Sequence, residues 1–117
     1  LDQFGLGHRL APRPRALSGG ERQMLAIGMT LMLNPKMLLL DEPTGALAGP
    51  IVTQIMSTIR VLVDEKGIGV LLIEQNVDIG IQAADMVHVL EAGKAIFTGS
   101  PDELGDAESR RRLLGLR

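Results

Sequence analysis

The sequence has no cysteine, no tryptophan and no tyrosine, and only two phenylalanines in 117 residues. Without cysteine there is no disulfide framework and no thiolate metal site, and the composition suits a reducing compartment. With aromatics at 2%, any core must be aliphatic, built from Leu, Ile, Val and the six methionines. Long apolar runs are missing too. Residues 37–40 and 70–73 fall far short of the roughly 20 residues that a membrane-spanning helix needs. Neither sign of charge dominates: a formal charge of −2 exerts no global pull toward nucleic acid or an anionic membrane. The first residues, Leu1-Asp2-Gln3-Phe4, offer no basic region, no apolar signal core and no initiator methionine. The expectation is a cytoplasmic chain that begins inside a longer protein.

What is present is ordinary globular material, 45% hydrophobic and 22% charged. The length allows one domain or a piece of one, able to bury roughly two thirds of its unfolded surface. Residues 1–17, with Gly5, Gly7, Pro12 and Pro14, show little periodicity and read as an irregular lead-in. Ser18 then opens a helix with Met24, Leu25, Ile27, Leu31 and Met32 at helical spacing, stopped by Asn34-Pro35. Met37-Leu38-Leu39-Leu40 reads as a buried parallel strand. Residues 51–65 form the clearest helix, with Ile51, Ile55, Ile59, Leu62 and Val63 in one stripe and Gly67 and Gly69 ending it. A second buried strand at 70–73 precedes a helix over 77–84. Residues 87–90 and 94–98 make a hairpin with Gly93 in its turn, and residues 101–114 read as one polar closing helix. The alternation implies a layered α/β fold.

Two segments carry chemistry. In Leu17-Ser18-Gly19-Gly20-Glu21, Ser18 and Glu21 have the spacing of a capping box, which by itself is only a helix start. The glycines change the weighing. Each is disfavoured in a helix by about 1 kcal/mol against alanine, yet together they bare backbone N–H groups at the positive end of the helix dipole. That is a surface suited to reading a phosphate, with the Ser18 hydroxyl beside it. In Leu38-Leu39-Leu40-Asp41-Glu42-Pro43, an apolar strand ends in two carboxylates. Strand-end acids are often only turn residues. In open α/β sheets, however, ligands bind beyond the carboxyl ends of strands. One acid there can hold Mg²⁺ and the next can orient or deprotonate a water for phosphoryl transfer.

Taken together, the two segments closely resemble the signature and Walker B motifs of ABC ATPases. Gln23 falls where that family often has glutamine, Ala46-Leu47 resemble its D-loop, and Leu72-Ile73-Glu74-Gln75-Asn76 resembles the switch strand of ATPases that power branched-chain amino acid uptake. Ala84-Asp85, residues 89–93, Gly99, Glu103-Leu104 and Leu113-Leu114-Gly115 are similar to the end of such a subunit. The resemblance implies a partial P-loop NTPase fold: parallel strands flanked by helices, then a C-terminal hairpin and helix, without the N-terminal half. It also implies that Ser18, Gly19 and Gly20, supported by Glu21 and Gln23, meet the γ-phosphate of ATP held by a second ATPase protomer. Asp41 would support Mg²⁺, Glu42 would be the base acting on water, and Gln75 would position the γ-phosphate where most relatives have histidine. The implied partners are that protomer and a membrane permease, with the subunit peripheral at the inner face of the cell membrane.

No stretch fits Gly-x-x-x-x-Gly-Lys-Ser/Thr; the only Gly-Lys, Gly93-Lys94, is followed by Ala95 in the hairpin. The family's Q-loop and adenine-stacking aromatic are absent as well. The 117 residues alone are therefore expected not to hydrolyse ATP. Ala48 stands where the D-loop usually has aspartate, Gly49 is an apparent insertion before Pro50, and Met29-Thr30 replaces the usual Arg-Ala. Two other classes compete with a transporter ATPase. A non-catalytic, self-associating remnant fits the missing P-loop. A DNA-maintenance ATPase of the SMC kind would need a heptad coiled coil leading into Ser18, which residues 1–17 do not contain. His88, between Val87 and Val89, is expected to face solvent, His8 has no partner motif, and Arg110-Arg111-Arg112 reads as a solvated run.

Overall fold

A side-chain cap opens the first long helix, a glycine closes the second, and an apolar stripe runs along each. In the computed structural model, which describes residues 18–115, helix α1 (Gly19–Leu31) starts at Ser18. It loosens into a tail of i→i+3 bonds through Asn34, whose φ is 50°. Asparagine tolerates that left-handed conformation, and Pro35 forbids return to the helix. The lead-in and His8 lie outside the described residues. Helix α2 (Gly49–Lys66) is closed by Gly67 at φ 66°, whose N–H reaches the Leu62 carbonyl. The described residues divide between Gln75 and Asn76 into two units.

In the first unit, strands β1 (Met37–Asp41) and β2 (Gly69–Ile73) pair in parallel, Leu38 against Val70 and Asp41 against Ile73. Helix α2 is the crossover between them and packs on α1 and β2. Its buried stripe is Val52, Ile55, Met56, Ile59 and Leu62, rotated slightly from the expected one: Ile51 and Val63 are only partly covered. Ile55 and Leu62 are 0% exposed; side chains so enclosed contribute about 1.5–3 kcal/mol each. Met24 and Ile27 of α1 and Leu38 and Leu40 of β1 complete this aliphatic core.

One expectation is corrected here. The strands were read as buried on both faces, yet burial alternates along β1. Leu38 and Leu40 are covered, whereas Met37 is 55%, Leu39 68%, Leu71 46% and Ile73 51% exposed. Residues paired in a parallel register point to the same side, so these four form one uncovered apolar face. The continuous apolar run marks a strand made for two covered faces, of which the described residues cover one.

In the second unit, the expected helix over 77–84 shortens to α3 (Val77–Gly80), capped by Asn76 and continued by turns. Strands β3 (Val87–Glu91) and β4 (Lys94–Gly99) form the expected antiparallel hairpin. Its two turn residues, Ala92 at φ 50° and Gly93 at φ 79°, have the signs of a type I′ turn. Ile96 is the extra residue of a bulge, since Val89 pairs with Phe97 and Leu90 with Ala95. His88 is exposed, as expected, with Nδ1 3.2 Å from the Thr98 hydroxyl.

The single closing helix is also corrected. A 3₁₀ turn (Asp102–Leu104) ends at Gly105, at φ 79°, and a separate helix α4 (Ala107–Leu114) follows. Asp106 caps it by accepting the Ser109 N–H at 2.8 Å. Nor is Arg110 merely solvated. Its Nε donates to Asp78 at 2.8 Å and its Nη1 to the Gly105 carbonyl at 2.7 Å, tying α4 to α3. No helix among the described residues is long and apolar enough to cross a membrane.

Candidate active site

Three segments carry the residues singled out in the sequence, all in the first unit. At the start of α1 both halves of the capping box form. The Glu21 N–H donates to Ser18 Oγ at 3.1 Å, and the Ser18 N–H donates to Glu21 Oε1 at 3.2 Å. Among the described residues, the amides of Gly19 and Gly20 donate to none. They remain orphan donors of the kind that anions meet at helix starts. Ser18 is exposed, while Gln23 is half-buried on the next turn.

Packing supplies a second reason for the glycines, which the sequence argument did not contain. Gly20 is buried, and a Cβ there would overlap the Ile51 side chain at Cγ2. A Cβ on Gly19 would lie 3.0 Å from Leu47 Cδ2. The absent side chains let α1 close on Leu47 before α2 and on Ile51 in the first turn of α2. For Gly20 this steric role suffices by itself; Gly19 meets only the flexible end of a leucine.

Asp41 ends β1 with its side chain exposed. Glu42 follows at φ 47°, one of three non-glycine residues with positive φ among the described residues. Its N–H donates to the Ile73 carbonyl at 2.7 Å and its carbonyl accepts the Gly45 N–H at 3.2 Å. A left-handed glutamate is disfavoured by about 1–2 kcal/mol, and strain of this kind concentrates where function requires it. Because Asp41 pairs with Ile73, the two strands end level. Asp41 and Glu42 therefore share one sheet edge with Glu74 and Gln75, and Gln75 is exposed there. Gly19 and Gly20 lie against Leu47 and Ile51, which follow Glu42 in the chain.

Two residues escaped the sequence reading. Thr44 is 1% exposed, the sole buried polar residue among those described. Its hydroxyl donates to Glu74 Oε1 at 2.9 Å, and its N–H reaches the same oxygen at 3.4 Å. Glu74 had been noted only as part of a motif. The available signal was a threonine directly after Pro43 in a turn, but nothing in the sequence says that the turn is enclosed.

As for a metal, no group of three or more His, Asp or Glu residues among the described ones could hold an ion. Mg²⁺ bound with nucleotide needs only one or two carboxylates, the phosphates and water supplying the rest. An exposed Asp41 at the strand end fits that pattern rather than a resident protein cage.

The fold and the motif order define a class: by sequence and by structure, the chain matches part of ABC transporter ATP-binding subunits. A family model described as ABC transporter matches residues 1–45. Among individual proteins, the high-affinity branched-chain amino acid transport ATP-binding protein BraG of Pseudomonas aeruginosa is 47% identical over 92 residues, 79% of this chain and 39% of that protein. The molybdenum import ATP-binding protein ModC of Brucella abortus is 39% identical over 109 residues, 91% of this chain and 30% of its own length. Among solved structures, MJ1267, an ATP-binding cassette of an ABC transporter, superposes with a TM-score of 0.86 at 29% identity, covering 99% of this chain and 46% of that one. Its ADP conformation gives a TM-score of 0.82 at 31% identity. The chain thus spans less than half the length of these relatives.

Proposed function

We propose that these residues are the phosphate-sensing and water-activating portion of an ABC transporter ATPase domain, working with a P-loop they do not themselves contain. The observation that carries this reading is the common edge of β1 and β2, where Asp41, a left-handed Glu42 and Gln75 stand together. In this reading the free amides of Gly19 and Gly20, with Ser18, Glu21 and Gln23 around them, meet the γ-phosphate of ATP held by a second protomer. Asp41 helps hold Mg²⁺, which neutralises phosphate charge when nucleotide is bound. Glu42 accepts a proton from, or polarises, the attacking water, and Gln75 orients by hydrogen bonding without carrying charge. The reaction serves a membrane permease. Branched-chain amino acids are the proposed cargo class, supported by the 47% identity to BraG and the Glu74-Gln75-Asn76 form of the switch segment.

A hybrid tests the reading. Residues 18–115 replace the matching segment of BraG, and ATP hydrolysis is measured. The hybrid should be active, and Glu42→Gln should lower turnover by about 10²–10⁴-fold, the usual share of a general base, while ATP still binds. A folded hybrid that binds ATP without hydrolysing it, or that hydrolyses equally well with Glu42→Gln, rejects the assignment.

The uncovered face of Met37, Leu39, Leu71 and Ile73 favours one addition, that the isolated chain self-associates. Exposed contiguous apolar surface of this kind, with strand edges beside it that are unpaired among the described residues, seeks a second copy.

A further inference from the structure

The buried hydroxyl of Thr44 points to a role for a carboxylate that the proposed chemistry leaves unused. Glu74 lies between the last residue of β2 and Gln75, and its Oε1 accepts both the hydroxyl of Thr44 at 2.9 Å and, more weakly, its N–H at 3.4 Å. Thr44 in turn is two residues beyond Glu42, in the turn closed by the Gly45 N–H on the Glu42 carbonyl and the Leu47 N–H on the Thr44 carbonyl, at 3.2 and 3.0 Å. A buried hydroxyl left without an acceptor is penalised by its lost hydration, and a charged acceptor makes the stronger bond. The same turn is held a second time by the Glu42 N–H on the Ile73 carbonyl at 2.7 Å. Two links therefore join the turn after β1 to the end of β2, one a single bond and the other the pair of bonds from Thr44 to Glu74. One starts at Glu42 itself and the other ends one residue before Gln75.

We infer that Glu74 is a positioning residue: through Thr44 it fixes the left-handed Glu42 turn and Gln75 as one unit. This rests on the proposed function only for what Glu42 and Gln75 do; the coupling itself is independent of nucleotide. Glu74 touches no reacting group. A displacement of the Thr44 turn must move the backbone of Gln75 with it, and the reverse.

The test uses the full 117-residue chain and segment-resolved hydrogen exchange, in the parent and four variants. Thr44→Val keeps the volume and removes the donor. Glu74→Met keeps the length and removes the acceptor. Thr44→Ser and Glu74→Gln retain one hydroxyl donor or one oxygen acceptor. Thr44→Val and Glu74→Met should each speed exchange at Glu42, Gly45 and Leu47 by at least about tenfold, the loss expected for a bond to a charged group. Exchange at Ile73, the last residue of β2 and the one before Glu74, should rise in step. The Gly69 amide, bonded to the Lys36 carbonyl at the far end of the sheet at 3.0 Å, should not change. Thr44→Ser and Glu74→Gln should recover most of the protection, which a purely space-filling role would not produce. Thr44→Val without effect on Glu42, or a change on one side of the bond but not the other, overturns the inference. A global rise that includes Gly69 overturns it as well. None of these outcomes depends on ATP, so an inactive hybrid with BraG would reject the proposed function and leave the positioning role of Glu74 intact.

Discussion

Gly20→Ala separates the steric from the anion-reading account of the Ser18-Gly19-Gly20 segment. The added Cβ overlaps Ile51 at Cγ2, closer than real Cβ atoms approach, and Ile51 is held there by its place in the first turn of α2. Overpacking of this kind is destabilising by about 1–3 kcal/mol. Alanine returns up to about 1 kcal/mol of helix propensity. The expected net effect therefore runs from none to a loss of about 3 kcal/mol. Ile51→Leu moves the branch from Cβ to Cγ and removes Cγ2, so the double variant should regain most of the loss as a measurable coupling. Gly19→Ala, 3.0 Å from a leucine methyl that can rotate away, should stay within about 0.5 kcal/mol of the parent. Urea unfolding followed by circular dichroism reads the parent, Gly20→Ala, Ile51→Leu, their double variant and Gly19→Ala, provided the slopes agree. A Gly20→Ala chain more stable than the parent, or a double variant no better than the single, would show that α1 does not need this close approach. The glycine would then have to be explained by its amide alone.

Other expectations follow from single residues. Ala48 caps α2 without any side-chain hydrogen bond, so Ala48→Asp should raise stability by about 0.5–2 kcal/mol; thermal unfolding checks it, and no gain would place the cap wrongly. The Ser109 amide holds the Asp106 carboxyl below its ordinary value of 3.8. The capping contribution is thus fully present above that pH and is lost as pH falls through the lower folded-state value. The Ser109 amide shift should follow that titration, and Asp106→Asn should flatten it. Leu39→Lys and Leu71→Lys on the uncovered sheet face should shift light scattering toward monomer at micromolar concentration. A parent chain already monomeric there refutes self-association.

The elements most legible in the sequence were those in which local and tertiary preferences agree. Ser18 and Glu21 announced the start of α1, Gly67 the end of α2, and Ala92-Gly93 the hairpin turn. Periodicity located the strands but could not say which faces are covered, because a run such as residues 37–40 reports suitability for burial and not the presence of a neighbour. The closing segment misled because polar residues on both sides of Gly105 keep helical composition while the glycine leaves it. Within the candidate site, the apolar run before them placed Asp41 and Glu42 at a strand end, whereas Gln75 was singled out only through the family resemblance. The Thr44–Glu74 bond was not legible, since it spans α2 and depends on register. Arg110 shows the same limit: a run of three arginines looks uniform until the fold gives one of them Asp78.

Glu42 sets stability against purpose at a single position. Its φ of 47° suits glycine or asparagine better than glutamate. The bonds that hold it there, to Ile73 and from Gly45, are made by its backbone. Replacement by glycine would preserve those bonds and relieve the dihedral. Selection of random variants for heat resistance alone should therefore drift toward Gly or Asn at this position, discarding the carboxylate. A lineage that still keeps an acid here records a pressure other than endurance.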